Sequence, residues 1–79
     1  MALIDAIGRA LLLEPMTRED LALMLHETPK NVCRELRQLI ESYMVAIRPR
    51  ETLDHKVVYF LTRRGREWAQ GATNEEVKA

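Results

Sequence analysis

The sequence predicts a small α+β domain, mainly helical, made of three helices, a two-stranded β-hairpin and a short C-terminal helix. Three observations predict it. Apolar residues recur at three- and four-residue spacing up to about Ser42. Capping and proline signals at Glu14-Pro15 and Thr28-Pro29 divide that stretch into three helices. Beyond Tyr43 the pattern changes to two short runs rich in β-branched and aromatic residues. A chain of 79 residues holds one such domain, expected over residues 1–70, with residues 71–79 as a flexible tail. It buries only about 60% of its unfolded surface, so the core is thin.

Each element has its own local cause. Leu3, Ile4, Ile7, Ala10 and Leu11 form the apolar stripe of a first helix. Gly8 lies inside it at a cost of about 1 kcal/mol relative to alanine. Glu14-Pro15 ends it, because the residue before proline avoids helical geometry. Thr17, with Asp20 three positions on, starts a second helix whose apolar face is Leu21, Ala22 and Leu25. Thr28-Pro29 opens a third, with a hydroxyl cap followed by proline at the first helical position. On that helix Val32, Leu36, Leu39, Ile40 and Tyr43 fall within an arc of about 100°. Lys30, Arg34 and Arg37 project from the opposite side.

Met44–Arg48 and Lys56–Leu61 read as two strands joined by the loop Arg50–His55. Thr62 caps a last helix that is expected to stop at Gly71.

The net charge is zero, yet its distribution is uneven. Up to Glu27 two basic residues stand against five acidic ones; from Thr28 to Arg66 nine basic residues stand against four. Contacts to an acidic polymer are local, so the middle of the chain is the candidate binding surface. No apolar run approaches the roughly 18 residues a membrane span needs. The single cysteine, Cys33, rules out an internal disulfide and fits a reducing, cytoplasmic setting. Cys33 reads as a packing residue or, less simply, a redox-sensitive thiol. His26 and His55 lack companion ligands for a metal site. No Ser-His-Asp, paired-carboxylate or phosphate-loop pattern occurs, so neither a cofactor nor an enzymatic role is expected.

The spacing Leu21-Ala22-x-x-Leu25-x-x-Thr28-Pro29-x-x-Val32-x-Arg34-x-Leu36-x-x-Leu39 resembles the helix-turn-helix of many bacterial regulators. Leu61-Thr62-Arg63-Arg64-Gly65 resembles the segment that follows the wing in MarR-like regulators, and Asp54-His55-Lys56 resembles their wing. The chain is therefore similar to a minimal winged helix-turn-helix protein of the kind bacteria and phage use. Two positions depart from the pattern. His26 stands where glycine is usual, because the chain turns left-handed there, and Glu27 stands where an apolar residue is usual. MarR-like proteins also carry terminal helices for dimerisation, for which this length leaves no room.

The resemblance implies a sequence-specific regulator, such as a repressor, on double-stranded DNA, cytoplasmic and nucleoid-associated when bound. Thr28, Lys30, Asn31, Arg34 and Arg37 would meet the major groove, and Arg48, Arg50, His55 and Lys56 would meet the minor groove. Thr17, Arg18, Arg63 and Arg64 would meet the DNA backbone, although Thr17 is equally explained as a helix cap, and for Thr28 the cap is the simpler reading. A homodimer on a two-fold symmetric site is expected, with Ile4, Ile7, Leu11, Leu12, Leu23 and Trp68 as interface candidates; deeper burial explains the same residues. Two rival readings are a protein-binding adaptor of the same fold and a replication or plasmid-maintenance factor.

Overall fold

The computed structural model describes residues 2–49 and 56–78, with side chains in 2–49 and 56–71. The order is α1 (Leu3–Leu13), α2 (Arg18–Leu25), α3 (Pro29–Glu41), β1 (Val45–Pro49), β2 (Val57–Leu61) and α4 (Arg63–Lys78). α2 and α3 begin at threonine caps. The Thr17 hydroxyl accepts from the Asp20 amide at 3.1 Å, and the Thr28 hydroxyl accepts from the Asn31 amide at 3.2 Å. Each satisfies an amide left without a partner by the first helical turn.

Both helices end in the same way. His26 takes a left-handed backbone (φ 55°), donating to Leu23, while the Glu27 amide donates to Ala22 at 2.9 Å. Tyr43 repeats this (φ 61°), donating to Ile40, while the Met44 amide donates to Leu39 at 2.9 Å. These paired bonds satisfy the last carbonyls of each helix. The left-handed turn expected at His26 is present.

The same geometry corrects the sequence reading of α3. Val32, Leu36 and Leu39 are buried as expected, but Tyr43 is 74% exposed and Ile40 37%. The helical wheel assumed a helix through Tyr43. It ends at Glu41, and the left-handed turn swings Tyr43 outward. A bulky residue pays about 1–2 kcal/mol for that backbone, and glycine does not. Tyr43→Gly is therefore expected to stabilise the domain by about 0.5–1 kcal/mol, after the extra unfolded-state entropy of glycine is deducted. A thermal melt should show a gain of several degrees. A loss would mean that the exposed ring carries packing energy.

One core joins all the elements. Ile7 and Leu11 of α1 meet Leu21 of α2, Val32, Leu36 and Leu39 of α3, Val45 of β1, Leu61 of β2 and Ala69 of α4. Each fully buried aliphatic side chain here contributes about 1.5–3 kcal/mol. This overturns part of the expected dimer surface: Ile7 and Leu11 are 0% and 2% exposed within the single chain. Ile4, Leu12 and Trp68 are half-buried and pack on the same core. Of the six candidates only Leu23 projects fully. The apolar stripe of α1 is therefore mostly used in the domain's own interior, while Leu13 beside it stays 72% exposed.

β1 and β2 pair antiparallel, with Val45 opposite Leu61, Ile47 opposite Tyr59 and Pro49 opposite Val57. These six share the face whose inner end is core. Met16 adds a bridge on the other edge of β2, its amide donating to Tyr59 and the Tyr59 amide donating back at 2.8 Å. The α1–α2 connection thus becomes a one-residue third strand.

α4 is anchored by Thr62. Its hydroxyl donates to the Tyr43 carbonyl at 2.6 Å and accepts from the Gly65 amide at 3.1 Å. A Cβ built on Gly65 would fall on the carbonyl oxygen of Met44. Leucine-threonine-x-x-glycine is therefore a docking device: threonine clips α4 to the end of α3, and glycine admits the carbonyl. Further along, Trp68 lies over α1, where a Cβ on Gly8 would come within 2.6 Å of its ring. The helix-weakening Gly8 makes room for the indole. Gly71 does not stop α4, which continues to Lys78; a helix stop of the kind expected needs a positive φ, and no described glycine has one. No helix among the described residues is long and apolar enough to cross a membrane.

Candidate nucleic-acid interface

α3 carries its cations outward. Lys30, Arg34 and Arg37 are exposed, while Val32, Leu36 and Leu39 beneath them are buried. The cap at Thr28 and the proline at the first helical position fix where the helix begins, and hence which residues face out. Thr28 itself is exposed at this helix entrance.

Arg18, the first residue of α2, joins this group. It lines an open cleft with Pro29, Lys30, Cys33, Arg34 and Arg37, and a neighbouring cleft with Glu19, Lys56, Val57 and Tyr59. Four cations from two helices therefore surround one depression, and Arg18 connects them to Lys56 at the loop end of the hairpin. Hydrogen bonds to the Cys33 sulfur and to Glu19 push the Arg18 pKa further above its ordinary value, so the guanidinium stays charged. Burial pushes the Tyr59 phenol up, keeping it neutral.

Polar side chains on α3 are linked to one another. The Asn31 amide nitrogen donates to Glu27 Oε1 at 3.3 Å, and Arg34 Nη2 donates to Asn31 Oδ1 at 3.3 Å. Arg34 Nε also lies 3.7 Å from Glu35 Oε1. This chain of contacts was not read from the sequence, although Glu27 and Asn31 stand four apart, the spacing at which helical neighbours meet.

Other candidates are placed differently. Thr17 is only 2% exposed, and its hydroxyl is used as a cap, so it is corrected from a phosphate contact to a structural residue. Arg48 projects from the face of the hairpin opposite Ile47 and Tyr59, with its guanidinium 5.5 Å from the Phe60 ring centre. Arg63 and Arg64 are exposed on the first turn of α4, where Arg63 Nε lies 3.7 Å from Glu67, and neither lines the two cationic clefts. Arg50 and His55, with Asp54, lie outside the described residues. Among the described residues no group of side chains could hold a metal ion.

The backbone closely matches several solved structures. Over 99% of this chain it superposes on ZitR of Lactococcus lactis with a TM-score of 0.88 at 19% identity, covering 53% of that chain. The adhesin competence repressor AdcR of Streptococcus pyogenes superposes with 0.88 at 19% identity, over 99% of this chain and 58% of that one. A MarR family transcription regulator superposes with 0.87 at 21% identity, over 99% of this chain and 52% of that one. The chain has the MarR-type winged-helix fold. It spans about half the length of the structures it matches. By sequence alone no family model matches it, and no curated protein does. In winged-helix terms α2 and α3 are the helix-turn-helix, β1 and β2 are the wing, and Thr62–Gly65 is the joint that fastens α4 behind them.

Proposed function

We propose that this winged helix is a sequence-specific regulator of transcription that binds double-stranded DNA. The observation that carries the reading is the outward cluster of Lys30, Arg34 and Arg37 on α3, continued by Arg18 toward Lys56 at the wing. α3 would enter the major groove, where Asn31 can pair with adenine and Arg34 with guanine. Arg37, one turn further on, would meet a phosphate, and Lys56 would approach the flanking minor groove. A homodimer on a two-fold symmetric site belongs to the same reading.

The test is selection from random duplexes, followed by a salt titration on the winning sequence. Neutralising three or more phosphates should make the logarithm of the affinity fall with that of the salt at a slope of about −3 or steeper. Exposure of Leu23 (80%) and Met24 (47%) on α2 favours one rival, a protein-binding adaptor. An adaptor would select no sequence and show almost no salt slope, and that outcome would sink the proposal.

A further inference from the structure

We infer that Glu27 is a positioning residue of the reading face, one that sets base preference by orienting Asn31 and, through it, Arg34; this rests on the DNA-binding reading above. Glu27 stands in the turn before α3, at a place where an exposed carboxylate works against binding a polyanion. Its side chain accepts from the Asn31 amide nitrogen at 3.3 Å, while Asn31 Oδ1 accepts from Arg34 Nη2 at 3.3 Å.

A carboxylate can only accept and a guanidinium can only donate. Held between the two, the Asn31 amide has one orientation: nitrogen toward Glu27, oxygen toward Arg34. Asparagine reads adenine by donating to N7 and accepting from N6, so the direction of its amide decides whether the pair can form. The arrangement also constrains Arg34. Nη2 is tied to Asn31 and Nε lies beside Glu35, which leaves the Nη1 end of the guanidinium to approach a base. One acidic side chain thus biases two reading side chains before any DNA arrives, and ordering them in advance lowers the entropy cost of binding.

The left-handed His26 makes this reach possible. Its turn closes α2 and delivers Glu27 to the start of α3, with the Glu27 amide already fixed on Ala22 at 2.9 Å. Glu27 therefore points from an anchored backbone.

The test compares Glu27→Ala and Glu27→Gln in the whole chain by duplex selection, with thermal melts to confirm that both fold. Glu27→Gln removes the charge and keeps an acceptor. It should bind all duplexes somewhat more tightly with the parent's base preference retained. Glu27→Ala removes charge and acceptor together, and discrimination at the base pairs read by Asn31 and Arg34 should fall about three- to tenfold. Unaltered preference in Glu27→Ala, with only a uniform gain in affinity, would overturn the inference and reduce Glu27 to a repelling charge. Equal loss of preference in both variants would overturn it as well, since orientation through an acceptor would then not be the cause. A parent chain that selects no duplex would instead sink the DNA-binding reading itself, so the two failures are distinguishable.

Discussion

Replacing Gly65 by alanine is expected to cost the domain about 3 kcal/mol or more, a large share of the 5–15 kcal/mol typical of native proteins. Helix propensity alone argues the opposite, because alanine inside a helix gains about 1 kcal/mol over glycine. The decisive fact is what the new methyl group meets. It falls on the Met44 carbonyl oxygen, and that atom is backbone and has nowhere to rotate. The same carbonyl accepts from the Thr62 amide at 3.0 Å and lies 3.2 Å from the Thr62 hydroxyl, whose proton goes chiefly to the Tyr43 carbonyl. Relieving the clash means parting α4 from the end of α3 and losing bonds at a partly buried joint. Gly71→Ala provides the control, since a Cβ there meets nothing within 4 Å. It should gain up to about 1 kcal/mol. Urea unfolding of both variants decides the matter. A Gly65→Ala chain as stable as its parent would show that the joint yields without cost.

The second large effect is expected at Arg34. Arg34→Ala should weaken binding to the selected duplex by about 1–3 kcal/mol and flatten the preference at one base pair. Its side chain is 67% exposed in the middle of the α3 cation face, so the loss cannot be assigned to the core. Lys56→Ala should behave differently, weakening all duplexes to a similar degree and lowering the salt slope by about one phosphate contact. Competition binding against a panel of single-base variants separates these patterns. If Arg34→Ala retains both affinity and preference, α3 is not the reading helix.

Much of the architecture was legible because its causes are local. Thr17 and Thr28-Pro29 announce helix starts through bonds to residues three positions on, and the spacing of Val32, Leu36 and Leu39 marks the buried side of α3 without reference to the rest of the chain. What escaped depends on contacts between distant segments. Nothing near Met16 announces a bridge to Tyr59. Gly8 reads as a weak point in a helix until Trp68 is seen lying on it, and Ile7 and Leu11 read equally as core or as a dimer surface until the other elements are packed on them. Tyr43 was misplaced for a different reason: a wheel has no means of knowing where the helix ends. At the candidate site the outward cations of α3 were legible. The bonds among Glu27, Asn31 and Arg34 were not, although four-residue spacing offered a hint. Thr17 was ambiguous because a hydroxyl serves equally well as cap or phosphate ligand, and only its burial separates the two.

The Met16–Tyr59 bridge has a mechanical consequence. Met16 is tied into the hairpin by two main-chain bonds, and the next residue begins the helix-turn-helix unit. Hairpin and helix pair therefore form the two jaws of one caliper whose opening is set by peptide geometry and not by surface side chains. Exchanging outward residues on either jaw should alter what is gripped while leaving the gap between the jaws unchanged.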